Sequence, residues 1–389
     1  MIEVLFKIFT LILLFLLNPL LLVGLIITLL LGYFRLKQER RLFRIGLLPG
    51  LTEFKRLLSE SWMYGLALSI LIFGLVLSVD LGWLVLFYIF SFLVLLSFNF
   101  KFISPIYFAV AAFLGVFLLD FVGLEFFYIE WSPSEIDLFG GAAAMIAVIA
   151  GLLLIIEGLL IRGYAARYVS PFFIPTNRGL RGVAFKAKQL WLLPVLFLIP
   201  GNLMTDIIPN WPEFQFGNTI PFTLVPVPIV IGFSQVIRST YPDILLPKLG
   251  RSVIFIGVIM LVIGIGGFWL PVLGVTALLI GFVGRATISI VSSNRNRKGK
   301  LVVVPQSEGI VIAGVLPNSP GKKMGLITGE CIQTVNGEKV NSEKELYKAI
   351  QKNAHYCSLQ VNNRNGELRI LKQEIYYHDH HLLGILIVQ

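Results

Sequence analysis

Charged residues are scarce in this chain. Asp, Glu, Lys and Arg make up 14% of its 389 residues, whereas soluble globular proteins average about 25%. Hydrophobic residues reach 56%, and the mean hydropathy is +0.84. This composition excludes an ordinary soluble domain and is typical of an integral membrane protein.

Histidine is missing before His355, and all four histidines lie near the C-terminus. A zinc protease of the H-E-x-x-H kind needs two imidazoles on one helix face, and a triad serine protease needs a histidine beside its nucleophile. Neither pattern occurs, and the phosphate-binding loop G-x-x-x-x-G-K-S/T is also missing. We therefore expect no enzyme activity and no cofactor.

The run His378-Asp379-His380-His381 is similar to a set of metal ligands. In an extended chain, alternation places only His378 and His380 on one face, which supplies just two ligands. A solvated loop is the favoured interpretation, and no metal site is expected. The two cysteines, Cys331 and Cys357, imply no disulfide framework and suit a reducing cytosol as free thiols.

The first apolar run extends from Val4 to Phe34. One helix of that length would reach roughly 45 Å, whereas the hydrocarbon core of a bilayer is about 30 Å thick. Asn18-Pro19 interrupts the run, because proline lacks a backbone donor and clashes with the preceding turn. We predict an interfacial or re-entrant segment before Asn18 and a spanning helix from Leu20 to Phe34, with one tilted, kinked helix as the alternative.

Eight further apolar stretches predict spanning helices. They are Trp62–Val79, Trp83–Phe98, Phe102–Gly123, Leu138–Ile161, Leu190–Ile208, Pro221–Ile237, Ser252–Phe268 and Trp269–Val291. The net charge of +10 comes from basic residues between these stretches, and the basic loops fall on alternate sides. That pattern indicates the positive-inside rule rather than a nucleic-acid surface, and it predicts nine spans with the C-terminal tail in the cytosol.

Prolines interrupt two of the predicted spans, at Pro194 and Pro200 and at Pro226 and Pro228. Kinks absorbed by neighbouring helices are the favoured interpretation, and a broken-helix transport site is the alternative. Among ionisable residues inside spans, Glu157 is the best functional candidate. An interfacial ion pair with Arg162, about one turn away, is its simpler explanation.

The tail changes to short β-branched runs and turn dipeptides. Cys331–Val335 alternates as a half-buried strand, and Asn336-Gly337 suits a two-residue hairpin turn. Ser342 and Glu345 form a capping box ahead of an apolar helical stripe. The successive segments Gly309–Pro320, Gly325-Leu326, Gly329-Glu330-Cys331-Ile332 and Val335-Asn336-Gly337 resemble a PDZ domain, with Glu330 where aspartate is usual.

PDZ domains bind extended peptides as an added strand beside a helix. The segment Leu382–Val388 resembles the carboxylate-binding loop and strand of bacterial PDZ domains. Here it lies at the end of the domain, as a circular permutation would place it. We predict a groove in which backbone N–H groups of the terminal turn hold a peptide carboxylate and a helix forms the wall. Its residues are Leu383, Gly384, Ile385, Leu386, Ile387, Leu346 and Ile350. A plain closing strand with an unused groove is the alternative.

The predicted fold class is a polytopic α-helical membrane domain followed by a small α/β PDZ-like domain. Its parts are an interfacial segment and first span (1–34), a basic cytoplasmic loop (35–61), about eight more spans (62–291), a basic linker (292–300) and a cytoplasmic PDZ-like domain (301–389). This layout, with Asn18-Pro19-Leu20 and the segment Gly32–Arg40, resembles the MinJ family of Min-system topology factors of Firmicutes.

That resemblance implies a scaffold at septum and poles that bridges the polar protein DivIVA to the MinD/MinC system, which restricts FtsZ assembly. The implied partners are the lipid bilayer, DivIVA-like and MinD-like proteins and other division proteins, and no nucleic acid. A PDZ adaptor of a membrane protease and a transporter-like protein with a regulatory PDZ domain are the alternatives.

Overall fold

A computed structural model of the chain describes most of its residues. The described ranges are 2–43, 45–123, 137, 140–176, 179, 181–201, 211, 213–215, 221–352, 356–374 and 383–388. They form a helical part that holds one long β-hairpin, followed by a C-terminal part that is rich in sheet.

Within the described ranges, the helical part begins with seven helices and ends with two more. Their bounds are α1 Ile2–Leu16, α2 Pro19–Phe43, α3 Thr52–Ser59, α4 Trp62–Gly74, α5 Leu81–Leu96, α6 Pro105–Val122, α7 Gly141–Tyr164, α8 Pro242–Gly266 and α9 Val272–Lys298. Among the described residues, six helical segments are long and apolar enough to cross a membrane, with α3 and α4 taken as one. The chain is therefore a membrane protein.

The predicted break at Asn18-Pro19 is confirmed. Helix α1 ends at Leu16 and α2 begins at Pro19, where proline needs no backbone donor. The Asn18 side-chain carbonyl accepts hydrogen bonds from Leu20 N (3.0 Å) and from the Tyr88 hydroxyl (2.9 Å). Asn18 thus caps α2 and ties it to α5.

Two of the predicted spanning helices are wrong. The described part of Leu190–Ile208 and the range Pro221–Ile237 fall on two long antiparallel strands, β2 (Arg181–Pro200) and β4 (Phe222–Ile237), which pair from Phe185↔Ile237 to Pro200↔Phe222. Residues 202–208 lie outside the described residues. The short strands β1 (Ser170–Pro175) and β3 (Glu213–Phe214) extend this sheet in the order β1-β2-β4-β3. A continuous apolar run has the same composition in a buried strand and in a buried helix, so hydropathy does not separate them.

The prolines explain why these segments are extended. Pro194 pairs with Pro228 and Leu196 pairs with Pro226, so the three prolines occupy the same set of alternate positions along the two strands. At these positions the backbone N–H groups point away from the partner strand, as Leu196 N and Gly232 N do. The hairpin therefore loses no ladder hydrogen bond, whereas a helix would lose one at each proline.

Groups from α4, from the residue before it and from the loop before α6 cover the outer edges of the hairpin. On β2, Leu196 N donates to Ser69 Oγ (3.0 Å), and Ser61 Oγ donates to the Leu192 carbonyl (2.6 Å). On β4, Gly232 N donates to the Ile103 carbonyl (2.7 Å). Helix α4 approaches β2 closely because Gly65 lies against Pro194. These partners satisfy edge groups that an apolar surrounding would leave unpaired.

Helix α7 is the most buried of the helices that could cross a membrane. It packs along α8 through glycines: a Cβ at Gly151 would lie 3.2 Å from Leu261 N, and one at Gly158 would lie 2.7 Å from Ile254 N. Small residues let helix backbones approach this closely. Helix α8 begins at Pro242, ten residues before the predicted start of that span at Ser252.

The C-terminal sheet has the strand order β10-β5-β6-β8-β9, with β7 paired to β6. Its elements are β5 Ile310–Val315, α10 Pro320–Lys323, β6 Cys331–Val335, β7 Glu338–Lys339, α11 Glu343–Gln351, β8 Tyr356–Asn362, β9 Leu368–Glu374 and β10 Ile385–Val388. The predicted strand Cys331–Val335 is confirmed as β6.

Local predictions in this part are confirmed in detail. Asn336 (φ 50°) and Gly337 (φ 84°) form the hairpin turn between β6 and β7, as two positive φ values require. Ser342 Oγ accepts from Glu345 N (3.3 Å), while the Glu345 carboxylate accepts from Asn341 N (2.8 Å), one residue before the cap. Leu346, Ala349 and Ile350 form the buried face of α11.

Candidate interaction site at the last strand

Strand β10 lies at the edge of the C-terminal sheet. Within the described residues it pairs only with β5. The Gly384 carbonyl accepts a hydrogen bond from Leu316 N (2.8 Å). Since backbone groups of an antiparallel strand alternate between its two sides, the N–H and C=O of Ile385 point away from β5. Ile385 is buried, however, and β10 also contacts β2 of the helical part, so an additional strand can pair here only where that contact opens.

A left-handed turn precedes β10. Leu383 has φ 55° and Gly384 has φ 68°, and a leucine in this region is uncommon because its Cβ crowds the backbone. The Leu383 carbonyl accepts from Gly321 N (2.8 Å). A Cβ at position 384 would overlap Ser319, so glycine is required there. The start of β10 is thereby fixed against α10.

The structure brings the predicted groove residues together in part. Leu383 and Ile385 share one hydrophobic cluster with Leu346 and Ile350 of α11. All four side chains are buried, so they form the core of the C-terminal part rather than open groove walls. Sequence reasoning placed strand and helix side by side but did not show how deeply their side chains would be buried.

The other predicted residues divide between two surfaces. Ile387 is half-buried and packs against the same cluster of the C-terminal part. Leu386 belongs instead to the large cluster of the helical part. The side chains of β10 therefore contact both parts of the chain.

The C-terminal part is docked onto the helical part through Arg364, in the turn between β8 and β9. Its guanidinium lies 3.7 Å from the ring centroid of Tyr241 and donates to the Asp243 carboxylate (2.7 Å) and the Thr328 carbonyl (2.8 Å). Burial raises the pKa of the Tyr241 phenol, while the neighbouring Arg364 charge lowers it. Sequence reasoning missed this contact, because no local pattern relates residues so far apart.

The linker after α9 adds backbone contacts between the two parts. Val183 N donates to the Val303 carbonyl (2.9 Å), and Val302 N donates to the Arg238 carbonyl (3.0 Å). The linker thus contacts the start of β2 and the residue that follows the end of β4. The long hairpin therefore connects the interior of the helical part to the C-terminal sheet.

Glu157 has a different partner from the one expected. It is fully buried, and its Oε1 pairs with Arg285 of α9 (2.6 Å), not with Arg162, while Ser104 Oγ donates to its Oε2 (2.5 Å). Arg285 was not identified from the sequence. Both carboxylate oxygens are engaged, which favours a structural role over ion transport.

Both cysteines are free and buried, as expected for reduced thiols. Burial raises the pKa of the Cys357 thiol to about 11 and also raises that of Cys331. Neither thiol is thereby activated as a nucleophile, because the thiolate is the reactive form.

The possible metal ligands are the remaining chemical candidates. His355, His378, His380 and His381 lie outside the described residues. Among the residues that the structure describes, no group of three or more His, Cys, Asp or Glu is arranged to hold a metal ion.

Comparisons with known proteins show similarity over the whole chain. The cell division topological determinant MinJ of Bacillus subtilis (strain 168) is 30% identical over 380 residues, which cover 97% of this chain and 94% of that protein. The probable cell division topological determinant MinJ of Lacticaseibacillus paracasei is 29% identical over 256 residues, covering 63% and 66% of the two chains. No family model matches the chain.

Proposed function

The chain belongs to the MinJ family of cell division topological determinants, and we propose that it acts in division-site selection as a non-catalytic membrane adaptor. The observation that carries this proposal is the extent of the similarity, 97% of this chain and 94% of the Bacillus subtilis protein. Similarity of that extent includes both the helical part and the C-terminal sheet. The role is therefore proposed for the whole chain.

The adaptor bridges a polar DivIVA-type protein to the MinD/MinC system, which inhibits FtsZ. A bridge of this kind needs a membrane anchor and a protein-binding surface. The six apolar helical segments supply the anchor. The C-terminal part, which we propose is PDZ-like, supplies the protein-binding surface: an extended peptide pairs with the outer edge of β10, next to the Leu383-Gly384 turn, when β10 separates from β2 of the helical part.

The helical part crosses the membrane several times, and the C-terminal part lies in the cytosol. The alternating basic loops support this orientation when the shorter apolar helix α5 crosses the membrane together with the six longer segments. Arg295, Arg297 and Lys298 at the end of α9 support a cytosolic position for that helix end. The long hairpin leaves this side and returns to it, so it preserves the alternation of the loops around it.

Deletion and tagging test the proposed role. Cells without the protein should form filaments or minicells, and a tagged full-length copy should lie at septa and poles and restore normal division. A uniform membrane signal together with normal division in the deletion strain would contradict division-site selection. It would leave the adaptor of a membrane protease as the better explanation.

A matched pair of substitutions tests the β10 surface. Ile387→Asp places a charge on β10, and Ile370→Asp places the same charge on β9, the opposite edge strand, where Ile370 is 59% exposed. We expect only Ile387→Asp to disperse the tagged protein from septa and poles. Protection of Cys357 from alkylation verifies that both variants are folded. Equal localisation of the two variants would exclude β10 as the partner surface.

A further inference from the structure

A groove of about 580 Å³ lies between α8 and α9, beside the docked C-terminal part. Its mouth is formed by Ser239 and Thr240, which follow β4. Asn296 fixes this mouth, because its side-chain carbonyl accepts from Arg238 N (3.3 Å), Ser239 N (3.4 Å) and Ser239 Oγ (3.1 Å). A side chain of α9 thus fixes the position of the loop at this end of the groove.

The groove is lined by cations and hydroxyl groups. The cations are Lys248 of α8 and Arg295 of α9, and the hydroxyls come from Ser239, Thr240, Ser252, Thr287 and Ser292. No carboxylate is among the described residues that line it. Within the described part of the chain, neither Lys248 nor Arg295 forms an ion pair. Two unpaired cations with several hydroxyl donors match an anion with several oxygens, such as a phosphate.

The surroundings favour a lipid over a soluble phosphate. Helices α8 and α9 are both long and apolar enough to cross a membrane. Leu245, Leu249 and Ile288 form an apolar wall in the same groove. Lipid-facing side chains follow on the same helices, including Phe255, which is 65% exposed. An acyl chain can therefore continue along the helices from a phosphate held at the groove.

We propose that the groove between α8 and α9 binds the headgroup of an anionic phospholipid, with Lys248 and Arg295 holding its phosphate. The Ser292 hydroxyl donates to a remaining phosphate oxygen or to a glycerol headgroup. Because the linker follows α9 directly, a bound lipid lies beside the docking contacts of the C-terminal part. The site lies apart from the β10 edge and does not depend on the proposed function.

Two double variants with the same change of charge test the proposal. Lys248→Gln with Arg295→Gln removes the two cations that line the groove. Arg251→Gln with Arg297→Gln removes two exposed cations from the same stretches of α8 and α9, outside the groove lining. The full-length protein is purified in an uncharged detergent, and dioctanoyl phosphatidylglycerol is titrated at fixed ionic strength.

We expect the groove variant to raise the apparent Kd for phosphatidylglycerol about tenfold or more, since each cation near a membrane surface adds about 1 kcal/mol of attraction to an anionic lipid. The control variant should bind nearly as well as the unaltered protein. An equal loss in both variants would show unspecific attraction and overturn the proposal. So would equal binding of phosphatidylcholine, or competition by inorganic phosphate at the same concentration. Thermal unfolding of each variant verifies that it is folded.

Discussion

Arg364 and Tyr241 form a cation–π contact between the two parts of the chain, with the guanidinium carbon 3.7 Å from the ring centroid. Arg364 lies in a turn of the C-terminal sheet, and Tyr241 precedes α8 of the helical part. The same guanidinium also binds Asp243 and the Thr328 carbonyl. One side chain therefore joins a ring, a carboxylate and a backbone carbonyl at the junction.

Replacement of Arg364 should loosen this junction. Arg364→Ala removes a contact that stabilises by roughly 0.5–2 kcal/mol, so we expect tryptic cleavage at Lys298 and Lys300 in the linker to accelerate about three- to tenfold. Lys372→Ala, an exposed cation on the neighbouring strand β9, is the matched control and should leave the rate unchanged. Equal cleavage rates in the Arg364 variant and the unaltered protein would show that the junction depends on other contacts.

Removal of one partner of the buried pair Glu157 and Arg285 should destabilise the folded chain, whereas replacement of both partners should change its stability little. Either single change to methionine leaves an unpaired buried charge, and we expect a loss of about 3–5 kcal/mol in the free energy of unfolding. The double replacement by methionine should recover most of that loss. Thermal unfolding of the full chain in detergent measures both effects.

The same double variant separates a structural role from transport. If the ion pair is structural, the double variant restores normal division in a deletion strain. The exposed pair of Lys352 and Glu338 is the control, because surface pairs contribute about 0–1 kcal/mol and Lys352→Ala should change little. A folded double variant that fails to support division would assign Glu157 a functional role.

Helix α4 carries a matched pair of glycines that tests its packing on the hairpin. A Cβ at Gly65 would lie 2.6 Å from the Pro194 carbonyl and Cδ, whereas one at Gly74 meets no atom within 4 Å. Gly65→Ala should therefore destabilise the chain by about 1–3 kcal/mol. Gly74→Ala should stabilise it slightly, because alanine favours the helix. Similar thermal unfolding of the two variants would argue against the close approach of α4 to β2.

Cys357 should react slowly with maleimide at neutral pH and give the C-terminal part a pH-dependent stability. Burial raises the pKa of its thiol from an ordinary value near 9 to about 11. Above pH 9 the unfolded chain loses this proton while the folded chain keeps it, so the free energy of unfolding should fall between about pH 9 and pH 11. Labelling and denaturant titrations at several pH values measure both effects.

The two cysteines can be distinguished by substitution. Cys357→Ala should remove most of this pH dependence, whereas Cys331→Ala should remove a smaller share. A labelling rate for folded Cys357 equal to that of the denatured chain would contradict its burial.

Much of the chain could be interpreted from the sequence because its signals are local. Asn18-Pro19 ends one helix and begins the next, since a proline and a capping side chain act within a few residues. Asn336-Gly337 and the cap at Ser342 are of the same kind. Scarcity of charge over long stretches identified the membrane part, because the bilayer responds to composition.

The hairpin of β2 and β4 depended on tertiary structure. Hydropathy and loop charge are the same for two spanning helices and for one hairpin that starts and ends on the same side of the membrane, so neither signal separates them. The three prolines favour strands because they occupy positions whose backbone N–H groups point away from the partner strand. The strands are stable there because Ser61, Ser69 and Ile103 form hydrogen bonds with their outer backbone groups. Those partners are distant in sequence, and no local pattern indicates them.

The candidate site likewise has features that the sequence predicted and features that only the tertiary structure decided. The resemblance of the tail to a PDZ domain predicted from the sequence that β10 and α11 are neighbours. Burial of Leu346 and Leu383, the partner of Glu157 and the docking of Arg364 were decided by the tertiary structure. Each depends on which surfaces meet, and that is set by packing of the whole chain rather than by the residues on either side.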